Sequence, residues 1–139
     1  KVIYEDSKNI SFFFENNLVH FSEHPYPLLS PVQKTEWNFR CLDIKDIACM
    51  CLFNIVSRGF ITDFIDLYFI IIKKYSLDQI ISYFDEKYQS ISYENQLILK
   101  SLVYFDEAEI QPRPEMLVDM NWGKIKNYFT KYVKVMNKL

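Results

Sequence analysis

Arg58, Asp63 and Asp66 are the residues whose types and spacing most resemble a reactive constellation. They fall in the stretch IACMCLFNIVSRGFITDFIDLYF, Ile47–Phe69, where two apolar, helix-periodic segments meet at Ser57-Arg58-Gly59. Asp63 and Asp66 are three apart and therefore share a helical face. A guanidinium beside two carboxylates in apolar surroundings suits nucleotide or metal binding, or acid–base chemistry. It also suits a structural ion pair, with Arg58 joined to one Asp and Asp63 offsetting the dipole at a helix start. Spacing alone leaves these open.

The remaining candidates are more ordinary. His20 and His24 sit in a strand and a Pro-rich connector, so their separation of four gives no helical chelate, and no further Cys or His nearby completes a zinc site. Asp106-Glu107-Ala108-Glu109 suits magnesium on paper, but such runs are more often a solvated loop or helix end. The last helix carries Lys124, Lys131 and Lys138 at seven-residue intervals, with Lys126 and Lys134 between them and no acidic residue after Asp119. That ridge fits RNA phosphates, or a solvated helix whose C-terminus favours cations. The chain has no phosphate-cradling Gly-rich loop, Ser/His/Asp arrangement or zinc motif.

The elements that must position these residues change character along the chain. Val2–Glu5, Ile10–Phe14 and Leu18–Phe21 are β-branched or aromatic runs, separated by Asp6-Ser7-Lys8-Asn9 and Asn16-Asn17. They predict an antiparallel meander over residues 1–23, with Asn16-Asn17 as its tight turn. Three strands alone make a poor domain, so an edge must face something. Prolines at 25, 27 and 31 then forbid helix and ladder, predicting an extended connector over 24–42 with its apolar side chains inward.

Helical periodicity occupies residues 43–139. Asp43 is a candidate N-cap, with Asp46 near the positive helix start. Ile44, Ile47, Ala48, Cys51, Leu52 and Ile55 form one stripe that Gly59 ends. Thr62 caps a second, more uniformly apolar helix, expected to be central. Ser76-Leu77-Asp78-Gln79 has capping-box form. A fourth helix is expected near Ser92, and a fifth from Asn121 with Trp122, Ile125, Phe129, Tyr132, Val133 and Met136 on one face. The expected fold is α+β and mostly helical: a short antiparallel meander, then a bundle of about five helices in a single domain.

Bulk properties bound the partners. Half of the 139 residues are hydrophobic and 17% aromatic, which excludes a disordered chain, and two glycines argue against a turn-rich sandwich or barrel. A net charge of −2 gives no general attraction to nucleic acid or anionic membrane. Cys41, Cys49 and Cys51 are an odd, clustered set that reads as reduced thiols of a cytoplasmic protein. The apolar run Leu67–Ile72 is far too short to span a bilayer. The start at Lys1 reads as the middle of a strand, so a fragment of a longer protein is expected.

From Asp46 to Phe69 the sequence resembles the AbiEii-type nucleotidyltransferase toxins of bacterial abortive-infection systems. The resemblance rests on Ile47-Ala48, Met50-Cys51-Leu52, Arg58-Gly59 and Thr62-Asp63-Phe64-Ile65-Asp66-Leu67-Tyr68. It extends to Pro25-Tyr26-Pro27-Leu28-Leu29, Tyr104-Phe105-Asp106-Glu107-Ala108-Glu109, Pro112, Pro114, Trp122 and Lys126. It implies the C-terminal portion of a polymerase-β-like nucleotidyltransferase, which moves a nucleotide from an NTP to an RNA or protein hydroxyl between two magnesium ions. The Gly-Ser and Asp-x-Asp elements of such enzymes belong to an N-terminal part that has no counterpart here. Arg58, Asp63 and Asp66 match the family's site. His20 stands at a carboxylate position, and Cys51 and Thr62 stand at lysine positions. Neither can supply a cation to a triphosphate, and neutral His20 is a poor magnesium ligand.

Three functions are therefore expected in turn. The first is a nucleotidyltransferase portion that is degenerate, or inactive alone, with no cofactor of its own and with Mg2+ and NTP belonging to an intact relative. Its partners would be an antitoxin or the missing N-terminal half, and an RNA acceptor held by Lys124, Lys131 and Lys138. The second is a non-enzymatic interaction module that completes a partner's sheet, or forms an oligomer, through the edge of the meander, or that buries its aromatic helix faces against a partner. The third is an RNA-binding helical module. None involves a membrane.

Overall fold

A computed structural model describes residues 1–91 and 93–137. β1 (Val2–Glu5), β2 (Asn9–Phe14) and β3 (Asn17–Ser22) form an antiparallel sheet in the order β1-β2-β3, with Phe12 opposite Val2 and Val19. The Asp6 carboxylate holds the first turn by accepting the backbone N–H groups of Lys8 and Asn9, both at 2.7 Å. The second turn lies one residue earlier than expected. Glu15 and Asn16 are its central pair, with φ of 46° and 65°, while Asn17 already pairs with Phe14. A two-residue turn with positive φ at both positions matches the twist of its strands, and Asn supplies one position at little steric cost.

The connector is not extended throughout. It contains a second ribbon, β4 (Gln33–Lys34) paired with β5 (Arg40–Cys41). Asn38 turns the chain at φ 61°, and Thr35 ties the ends of the loop together. Tyr26 and Leu29 do tuck against the helical core, whereas Leu28 stays exposed.

Five expected helices follow: α1 (Ile44–Ser57), α2 (Ile61–Lys73), α3 (Leu77–Lys87), α4 (Asn95–Ser101) and α6 (Trp122–Met136), with a single turn, α5 (Asp106–Glu109), added before the last. The chain is thus α+β and mostly helical. Asp43 caps α1 through Lys45 N–H, Gly59 ends it at φ +63°, and Ser76 and Gln79 form the reciprocal capping box of α3. Two starts differ. Thr62 is not a cap: α2 begins one residue earlier, and its Ile61 N–H donates to Gln111 Oε1 at 3.0 Å. The expected start at Ser92 lies outside the described residues, and α4 begins at Asn95.

As its all-round apolarity demands, α2 is central, packing on α1, α5 and α6. Phe64 is fully buried among Phe105, Trp122 and Phe129, with ring centroids 5.3, 5.9 and 5.7 Å away. Each such side chain contributes about 1.5–3 kcal/mol by leaving water. The sheet takes no part in this. Among the described residues, the core and the apolar side chains packed on it begin at Tyr26.

Candidate functional site

The α1–α2 junction is built by its two helix ends. Gly59 takes the left-handed turn, and the N–H groups of Arg58 and Gly59 both donate to Asn54 O. This brings Arg58 back over the first turn of α2. Its Nε donates to Asp63 Oδ2 at 2.9 Å and its Nη2 to Asp63 Oδ1 at 2.8 Å, a two-pronged pairing. Asn54 Nδ2 adds a third bond, 3.3 Å from Oδ1. Burial is unequal, with side-chain exposure of 47% for Arg58 and 6% for Asp63. The Arg58 guanidinium lies 4.7 Å from the centre of the Phe60 ring, and its bond to Asp63 holds it more firmly protonated than usual.

Asp66 is not part of this pair. One turn further on, it lines an open, largely apolar groove of about 570 Å³ with Ile44, Ile47, Phe69, Ile70, Lys73 and Lys74. Burial and the charge of Asp63 raise its pKa. Cys51, on the facing helix, is buried and its thiol is pushed up to about 12, chiefly by burial and then by Asp66 and Asp63. It is a neutral packing group. Thr62 is exposed on the first turn of α2. On the other side of Arg58, a cleft of about 300 Å³ is lined by Ser57, Lys100, Ser101, Tyr104 and Glu107.

His20 is placed elsewhere. It lies on β3 opposite Ser11, with Nδ1 2.7 Å from Ser11 Oγ, and no hydrogen bond or ion pair joins it to Arg58, Asp63 or Asp66. The residues therefore do not fit a pair of magnesium ions. Both Asp63 oxygens are held by Arg58, Asp66 stands alone, and no group of three or more His, Cys, Asp or Glu side chains among the described residues is placed to hold a metal. Lys124 and Lys131 are exposed on α6, and Lys138 lies outside the described residues.

Two polar clusters escaped the sequence reading. Asp46, read as a residue offsetting the helix dipole, is fully buried. It pairs with equally buried Lys87 at 2.6 Å while accepting the N–H groups of Leu29 and Ser30. Lys87 also donates to Pro27 O at 2.7 Å. Burial pushes the Asp46 pKa up, but Lys87 and the two N–H groups outweigh it, and the net direction is down. The signal was Lys87 itself, which continues the Leu77, Ile80, Phe84 stripe where an apolar residue belongs. The second cluster centres on Glu109, which takes the helix-end alternative as the last residue of α5. It accepts from Lys126, Trp122 Nε1 and Arg113, and these bonds, that from Lys126 first, lower its pKa to about 2.

No family model matches the chain, and no solved structure matches it. An uncharacterized protein of Aquifex aeolicus (strain VF5) is 32% identical over 136 residues, a match taking in 95% of this chain. The chain spans 63% of that relative's length. Among the described residues, no helix is long and apolar enough to cross a membrane.

Proposed function

We propose that this chain is the C-terminal portion of an AbiEii-like nucleotidyltransferase whose inherited site now braces two helices, and that it transfers no nucleotide by itself. The observation that carries the reading is the two-pronged Arg58–Asp63 pair. A carboxylate that already accepts three hydrogen bonds, two of them from a guanidinium that neutralises its charge, keeps one lone pair and little net charge to offer a magnesium ion or an acceptor proton. Asp66, the remaining carboxylate, lines a groove with Ile, Phe and Lys side chains and no second acid. Buried, neutral Cys49 and Cys51 suit the reducing cytoplasm, where such a protein would act.

The sheet supports a larger assembly. Phe13, Phe14, Leu18 and Phe21 are 50–63% exposed, and their alternation places apolar groups on both faces. Sheets greasy on both faces are normally covered on both. This favours a second reading, in which the chain acts by completing a partner, an antitoxin or a nucleotidyltransferase half, through its meander. Incubation with radiolabelled NTP, Mg2+ and total RNA or protein tests the first reading. Transfer indistinguishable from a blank is expected, and robust magnesium-dependent labelling by these residues alone would refute it. Light scattering over a range of concentrations tests the second: without that partner the exposed meander should pair with a second copy of itself, an association that Phe13→Ser with Leu18→Ser abolishes.

A further inference from the structure

The β4–β5 ribbon has no place in the site just described, and its geometry is unusual for a surface connector. Lys34 and Arg40 are direct cross-strand partners, so two cations project from the same side of a two-stranded ribbon. Like charges directly opposite one another destabilise a strand pair. Among the described residues, neither forms an ion pair with a carboxylate. Beyond them the tip carries Trp37 and Phe39, 74% and 70% exposed.

These rings stand on an ordered turn. Thr35 N–H donates to Phe39 O at 2.9 Å, Asn38 N–H to Thr35 O at 2.9 Å, and Phe39 N–H to Thr35 Oγ1 at 3.1 Å. Asn38, with φ 61°, separates the two aromatic residues. Two large rings are thus held in water by a stiffened loop, beside a pair of cations that repel each other. An anion between Lys34 and Arg40 relieves the repulsion, and flat apolar groups against the rings remove them from water.

We infer that the β4–β5 ribbon is a binding site for single-stranded nucleic acid, with Lys34 and Arg40 gripping the phosphodiester and Trp37 and Phe39 stacking on unpaired bases. One short segment supplies both parts such a strand requires, cationic contacts to the backbone and aromatic faces for bases. A lipid surface would use the same charges, but Glu36 and Asn38 interleave with the rings and would be dragged towards the hydrocarbon with them. The site does not rest on the nucleotidyltransferase reading, since a chain that transfers nothing would bind equally well.

Trp37 reports on the site, because the only other tryptophan, Trp122, is buried. Titrating the protein at low salt with an oligouridylate of about ten nucleotides should quench its fluorescence, whereas a duplex of equal length should not. Phe39→Ala should weaken binding about tenfold. Lys34→Ala and Arg40→Ala should each lower the slope of log affinity against log salt by about 0.7. Circular dichroism of each variant separates lost binding from lost folding. No quenching at tens of micromolar strand would overturn the proposal. So would binding that Lys124→Glu with Lys131→Glu abolishes while Lys34→Ala with Arg40→Ala spares it. Blue-shifted Trp37 emission on anionic vesicles, without any response to the oligonucleotide, would assign the ribbon to a membrane instead.

Discussion

Lys87 Nζ lies 2.6 Å from Asp46 Oδ1, with both side chains wholly shielded from water and the two residues forty-one positions apart in the chain. The pair joins α3 to α1, and its remaining bonds, to Pro27 O and from Leu29 and Ser30 N–H, fasten the Pro-rich connector to both helices. Two desolvated charges are tolerated because nearly every lone pair and proton around them is used.

Removing one partner leaves the other charge buried and alone. Lys87→Met is expected to destabilise the protein by about 3–5 kcal/mol, and Asp46→Leu with Lys87→Met by clearly less than the sum of the single changes. Urea denaturation of the four proteins in the cycle measures this. Additive losses would mean that the two groups are not coupled.

The Arg58–Asp63 pair predicts an asymmetry. Arg58→Ala strands a carboxylate that only Asn54 still reaches, at a cost of about 2–3 kcal/mol. Asp63→Ala frees a half-exposed guanidinium that can turn to water, so its cost should be smaller. Arg58→Lys should recover part of the loss, since an ammonium cannot match both oxygens. Thermal melts ranked in any other order would contradict this account.

His24 sets a pH dependence. Its Nε2 is buried without a hydrogen-bond partner, and its pKa is lowered from 6.5 by burial and by Lys87, with Asp46 opposing. The unfolded chain takes up a proton near the ordinary value while the folded one resists. Stability is therefore full above that value and declines as pH falls through it towards the lower folded pKa. Denaturation at pH 7.5 and 5.5 should show the decline, and His24→Gln should flatten it.

The three cysteines should separate by reactivity. Cys41 is exposed, whereas Cys49 and Cys51 are buried with thiols pushed up to about 12. Iodoacetamide at pH 8 should label Cys41 within minutes and the other two only on unfolding. Mass spectrometry of the peptides reads the difference, and early labelling of Cys51 would show that the α1–α2 contact opens readily.

Much of this architecture is legible from local signals. The capping box at Ser76, the glycine stop at Gly59 and the stripes on α1 and α6 are written within a few residues each, so periodicity and capping find them. The Arg58–Asp63 contact is also local, spanning five residues, and its types announce it. What escapes is tertiary. Nothing near Asp46 reveals Lys87, and the β4–β5 ribbon lacks the glycine that usually marks such a turn. Asp63 and Asp66 share a face by spacing, yet a small rotation around α2 buries one in the junction and leaves the other in an open groove.

The start of α2 bears on the order in which the molecule assembles. Phe60 offers no side-chain oxygen to the first turn, and the acceptor for Ile61 N–H comes from Gln111, fifty residues later. During synthesis from the N-terminus, the central helix therefore emerges with that donor still facing water. Its first turn is sealed only after α3, α4 and α5 have left the ribosome and the following loop has folded back. The first turn of the helix that organises the bundle thus draws one of its hydrogen bonds from a residue made fifty positions later.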